Sequence, residues 1–202
     1  MKKKIVLILL LIVSISMFAT TKVDELVEKS YEFENNGKYQ EALTNMFAVI
    51  HLAPSDAYYN LRTGWLYYNL SNYTDALKYY TISYNLDQNF EALEGIVVTN
   101  YMLGNWDETI QYGKKALVIT PKKFLTIAKI AYSYYAKEDW AKASEYYGKA
   151  CEIYSYNISC LGYYMSSLVK NNQIQEAKTI YQKLKRLNPN NEFIKLYENQ
   201  LN

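Results

Sequence analysis

The chain has little that would interrupt a helix: three prolines and seven glycines in 202 residues. With Leu, Ala, Lys, Glu and Tyr abundant, such sparse punctuation argues against a many-stranded sheet protein and for helices. It has one histidine, His51, and no cysteine or second histidine lies near it in sequence to complete a catalytic or metal-binding set. His51 is therefore read as a histidine favourably placed at a helix C-terminus. A Gly-rich phosphate loop, a nucleophile elbow and an H-E-x-x-H pattern are all missing. The acidic residues stand beside lysines, as on solvated helix faces. These absences point to a protein that is not an enzyme and takes no cofactor or metal.

An excess of basic charge is missing too, once the first residues are set aside. Lys2, Lys3 and Lys4 precede a run from Ile5 to Ala19 that is apolar except for Ser14 and Ser16. That is the charged and hydrophobic sequence of a secretory signal peptide. The run falls short of the roughly 20 residues that span a bilayer as a helix. Residues 1–20 are thus expected to be a cleaved signal, with an uncleaved N-terminal membrane anchor as the alternative. Cleavage is expected to leave a chain starting between Met17 and Val23, and no cysteine stands nearby to be lipidated. Without the three lysines, Lys plus Arg falls from 22 to 19 against 20 acidic residues. No basic stripe remains for nucleic acid. An exported protein, periplasmic or extracellular, is the expectation. NLS, NYT and NIS at Asn69, Asn72 and Asn157 match glycosylation acceptors, a match that Asn-rich chains produce by chance.

What is present is a repeat. GKYQEALTN, NYTDALKYY, NWDETIQYG and DWAKASEYY align on Tyr39, Tyr73, Trp106 and Trp140, with Ile174 as a fifth, weaker marker, at spacings of 34, 33, 34 and 34. Three residues after each marker stand Ala42, Ala76, Thr109, Ala143 and Ala177. Two residues before it stand Gly37, Ser71, Gly104, Glu138 and Asn172, turn formers or polar residues. All three prolines, Pro54, Pro121 and Pro189, fall fifteen residues after a marker, where a helix must stop. Apolar residues at helical spacing flank each turn, as in Leu161, Tyr164, Met165 and Leu168 before the last one and Ala177, Ile180, Tyr181 and Leu184 after it.

This pattern resembles the tetratricopeptide repeat, a helix-turn-helix unit of the same period. The resemblance covers residues 23–191 as units 23–56, 57–89, 90–123, 124–157 and 158–191. It implies an all-α fold: a right-handed α-solenoid of about five repeats over residues 21–202. Phe193, Ile194, Tyr197 and Leu201 form a stripe suited to a capping helix over 192–201. Position 8 of the first helix and position 20 of the unit should meet where the helices cross most closely. Gly64 with Ala76 and Ala131 with Ala143 fit, while Val97 with Thr109 and Met165 with Ala177 depart from the pattern. Gly113 is expected on a more exposed face. The second unit has Gln88 in place of proline, so an altered turn is expected between Asp87 and Phe90.

The resemblance also implies a non-catalytic scaffold of the cell envelope that binds a protein or peptide. The alternatives are an envelope glycan-binding module that stacks sugars on exposed Tyr and Trp, and a structural spacer subunit of a larger assembly. No nucleic acid is expected as a partner, and a membrane only if the leader stays uncleaved. In the family, first helices line the concave face. At 100° per residue, positions 2, 5, 6, 9 and 13 point away from the core. That face would carry Tyr31, Tyr58, Arg62, Trp65, Lys129, Tyr132 and Tyr163, with Tyr68, Tyr101 and Tyr135 on its flank and Glu91 and Glu94 near its middle. Aromatic rings and Arg suit interface hot spots. The competing reading is that neighbouring first helices bury some of these rings. The two cysteines, Cys151 and Cys160, stand about a turn either side of one connection. They form either a disulfide, as an oxidising compartment favours, or two buried thiols that fill small spaces.

Overall fold

The computed structural model describes residues 22–201, and every regular element among them is helical. Helix α1 covers 22–35. It is followed by α2 (Tyr39–Leu52), α3 (Ala57–Asn69), α4 (Tyr73–Leu86), α5 (Phe90–Leu103) and α6 (Trp106–Ile119). Then come α7 (Phe124–Ala136), α8 (Trp140–Ile153), α9 (Ile158–Lys170), α10 (Ile174–Leu187) and α11 (Glu192–Leu201). The protein is an all-α solenoid of helix pairs. It divides into two compact units within α5, the first ending at Gly95 and the second beginning at Ile96. Residues 1–20, with the expected leader and its cleavage site, lie outside the described residues. No described helix is long and apolar enough to cross a membrane.

The five repeat markers have one structural meaning. Tyr39, Tyr73, Trp106, Trp140 and Ile174 are each the first residue of the second helix of a pair. The residues two before them adopt left-handed backbone: Gly37 at φ 71°, Ser71 at 59°, Gly104 at 74°, Glu138 at 59° and Asn172 at 60°. One left-handed residue lets the chain leave a helix and re-enter another within a few residues. Side-chain caps then hold the helix starts. Asp56 accepts from the Tyr59 N–H, Asn72 from Asp75, Asn89 from Ala92, Asp139 from Lys142 and Asn157 from Cys160. In the unit without its proline α4 ends at Leu86, where Asp87 turns to extended backbone, and Asn89 caps the start of α5.

In the first unit α3 packs on α2 and α4. Leu43, Met46, Val49 and Leu66 fill the core beside Ala42. Gly64 lies where a Cβ would stand 2.9 Å from the Tyr80 ring and 3.1 Å from the Tyr80 backbone nitrogen. In the second unit α7 packs between α6 and α8, α9 between α8 and α10, and α11 covers both α9 and α10. Ala131 and Ala143 are fully buried, as are Met165 and Ala177. The larger side chains are therefore accommodated within the core. Ile194, Tyr197 and Leu201 of α11 join Leu161, Leu168, Tyr181 and Leu184 in the terminal cluster. Gly113 differs from expectation: it is buried, and a Cβ there would meet Ile130 Cγ1 at 2.8 Å. The cause is α7, which lies against that side of α6.

Candidate functional site

In the first unit, the face of α1 and α3 is partly closed by its own side chains. Tyr31, Tyr58 and Trp65 are exposed, whereas Tyr68 is half-buried in a tilted pair with Tyr73. Trp65 meets the Tyr39 ring edge to face at 5.8 Å. The Tyr31 and Tyr58 hydroxyls are hydrogen-bonded, and that bond, with some burial, pushes the Tyr58 phenol up to about 12. Arg62, expected on the open face, is only 8% exposed. Its guanidinium is ion-paired to Glu34, lies 3.4 Å from the Tyr31 ring centroid, and leaves Nε without a partner. Arg62 is thus a packed charge, because α1 brings an acid and a ring over it. Glu91 is exposed, and Glu94 is half-buried.

In the second unit the expected residues come together through a register that recurs. The Tyr135 hydroxyl bonds Ser166 at 2.9 Å, and Ser166 bonds the Tyr197 hydroxyl at 2.9 Å, each pair 31 residues apart. Two ring pairs follow the same step, Tyr101 to Tyr132 at 5.5 Å and Tyr132 to Tyr163 at 5.4 Å, and Tyr163 meets Phe193, 30 residues on, at 5.1 Å. The step is three residues short of the 34-residue period. Successive first helices are therefore displaced by nearly one helical turn, so position 12 of one helix meets position 9 of the next, and position 9 meets position 6. Tyr31 and Arg62 in the first unit show the same step.

Several rings expected to face a partner are thereby engaged with one another. Tyr132 touches Tyr101, Trp106, Tyr135 and Tyr163. Tyr135 also meets Trp140 and Tyr163. Most of these contacts are edge to face, at interplanar angles of 64 to 84°. Tyr147 and Tyr163 are stacked at 8°. Burial raises the Tyr101, Tyr163 and Tyr147 phenols above their ordinary value.

This wall holds an opening, a pocket of about 290 Å³. Tyr101, Tyr132, Tyr147 and Tyr163 form its aromatic side, and Leu125 and Ala128 of α7 its aliphatic side. Lys129, Asn157 and Ser159 add polar groups. Lys129 Nζ stands 5.8 Å from the Tyr101 ring centroid. Leu125, 58% exposed, and Ala128 were missed from the sequence although they occupy outward positions 2 and 5, because only aromatic and charged residues were selected there. Among the described residues no group of three or more His, Cys, Asp or Glu side chains gathers as metal ligands would.

The comparisons agree with this architecture. Tetratricopeptide repeat models match residues 28–89 and 163–191. No curated protein matches the chain. Among solved structures, MamA 41-end from Desulfovibrio magneticus RS-1 superposes with a TM-score of 0.76 at 16% identity, over 85% of this chain and 97% of that one. YrrB, described as a TPR protein with an unusual peptide-binding site, gives 0.78 at 10% identity, over 90% of this chain and 97% of its own. A tetratricopeptide repeat protein from Parabacteroides merdae ATCC 43184 gives 0.75 at 18%, over 88% and 73%. At such identities the likeness is one of fold. The two family matches end at residues 89 and 191, where the second and fifth units of the period close, and the chain is accordingly a tetratricopeptide-repeat protein.

Proposed function

We propose that this protein is a non-catalytic scaffold that binds a peptide segment of a protein partner on its first-helix face, and that it does so at the cell envelope. The observation that carries the reading is the tyrosine-walled pocket of the second unit, about 290 Å³ in volume. A space of that size takes one large apolar side chain, and rigid tyrosine rings give such an anchor contact area at little entropic cost. Asn157, Ser159 and Lys129 around it supply hydrogen-bonding groups for a peptide backbone or a carboxylate. A sugar platform needs free, coplanar ring faces, whereas these rings turn edges and faces toward each other. The peptide reading is therefore preferred to the glycan reading. A spacer subunit would have no use for the pocket.

The test is selection of a displayed peptide library on the protein. Selected peptides should share a large apolar residue, and Leu125→Glu should weaken them by about tenfold or more, roughly 1.4 kcal/mol, with helical content unchanged. Peptides bound equally well by Leu125→Glu would refute the pocket. Envelope placement rests on the lysine-led apolar leader. Mass spectrometry of protein from its native host should find a chain starting between Met17 and Val23, and an intact N-terminus in the cytosolic fraction would contradict export.

A further inference from the structure

Cys151 stands in the last turn of α8 and Cys160 in the first turn of α9. Both are thiols, and their sulfur atoms are 2.8 Å apart. A disulfide requires about 2.05 Å, so a small side-chain rotation suffices to close the bond. The short connection between them is fixed at both ends. Tyr154 N–H bonds back to the Ala150 carbonyl, and Asn157 caps α9 by accepting the Cys160 N–H at 2.9 Å. Helix ends held in this way keep the two sulfurs facing, so the chain entropy of bringing them together is already met by the fold.

We propose that Cys151 and Cys160 form a reversible thiol–disulfide site, oxidised to an intramolecular bridge by exchange with a disulfide-bearing oxidant. The two cysteines are not equivalent. Cys151 is half-buried, while Cys160 is 4% exposed and has its sulfur 3.7 Å from the Tyr147 carbonyl. The Cys160 thiol is also held protonated above its ordinary range, by its contact with Cys151 and by burial. Cys151 is therefore the attacking thiol. Its thiolate bonds to one sulfur of the incoming disulfide and expels the other half as a thiolate. Cys160, losing its proton, then attacks Cys151 Sγ and expels the second half. The oxidant gains two electrons and takes up the two cysteine protons as a pair of thiols, and the protein gains one S–S bond. The bridge ties the fourth repeat to the fifth. Because Cys160 also lines the tyrosine pocket, the bridge would set the position of that wall. The bridge stands independently of the peptide-binding reading.

The experiment treats the full chain with oxidised glutathione, quenches with acid, alkylates and measures mass before and after non-reducing digestion. The expected result is a loss of two hydrogens, a cross-linked peptide joining Cys151 to Cys160, and reversal by dithiothreitol. The bridged form should melt about 5 °C higher than the reduced form. Cys160→Ser should stop at a glutathione adduct on Cys151, and Cys151→Ser should resist modification. Wild-type protein in which both thiols remain alkylatable, or which halts at the glutathione adduct, overturns the proposal.

Discussion

Arg62 sits at an outward position of α3 on the helical wheel and is nevertheless buried, because α1 brings Glu34, Ser30 and Tyr31 over it. Its charge is sustained by one carboxylate and one ring. Glu34→Ala should therefore destabilise the first unit by about 2–4 kcal/mol, since a buried guanidinium would lose its counter-charge. Urea unfolding measures this, and a change below about 0.5 kcal/mol would show that water reaches the pair. The close-packed glycines make a second contrast. Gly64→Ala presses on the Tyr80 ring and on its backbone nitrogen, which cannot yield, whereas Gly113→Ala presses on side chains alone, chiefly Ile130 at Cγ1 and Cδ1. Both should lower stability, Gly64→Ala by about 1–3 kcal/mol and Gly113→Ala by less. Thermal melts of the two variants that fall in the opposite order would refute this packing. The phenols with raised values give a third expectation. Tyr58, Tyr80, Tyr101, Tyr147 and Tyr163 all hold their protons above the ordinary value of 10.0. A raised folded value means that their stabilisation is complete below pH 10 and is lost as pH rises through the folded values. Melting temperature should be flat up to that pH and fall beyond it, with tyrosinate absorbance rising in two phases. A single phase at the ordinary value would contradict the burial of these rings and the Tyr31–Tyr58 hydrogen bond.

At the scale of the helix pair, the turn is the recurrent device, and its chemistry is uneven. All five turns hold a left-handed residue, but only Gly37 and Gly104 avoid the clash between Cβ and the backbone. Glu138 has a Cβ and carries that strain. Glu138→Gly should stabilise the protein by about 0.5–1 kcal/mol, the strain relieved less the extra entropy of glycine in the unfolded chain. Gly37→Ala should cost about 1 kcal/mol, and because nothing lies within 4 Å of an added Cβ there, the loss would report backbone strain alone. Differential scanning calorimetry of the two variants checks both signs. These turns were legible in the sequence: the markers, the residue two before each marker and the three prolines mark where helices start and stop. The sequence also identified α11, whose apolar stripe needed something to cover. The step of 31 residues between first helices was not legible. A 34-residue period states that units recur, but the shear between neighbours depends on which side chains interlock. That shear covers Arg62, engages Tyr132 and Tyr135, and leaves Leu125 open.

At the scale of the whole molecule, repeated helix pairs and the covering helix α11 build extended surface, and among the described residues no group of three or more His, Cys, Asp or Glu side chains gathers. On that surface the residues expected to bind fall into two sets. Tyr132 and Tyr135 support packing, so their replacement by Ala would disturb the fold along with any binding. Leu125, Ala128 and Lys129 border the pocket from α7, and they are where a partner can be tested without that confusion. The measurement that bears most directly on this assignment is photo-cross-linking with a selected peptide whose apolar anchor is replaced by benzoylphenylalanine, followed by mass-spectrometric mapping of the adduct. The pocket assignment predicts adducts between Leu125 and Tyr132 or between Ser159 and Tyr163; adducts confined to the second helices, such as α8 or α10 outside the pocket wall, would contradict it.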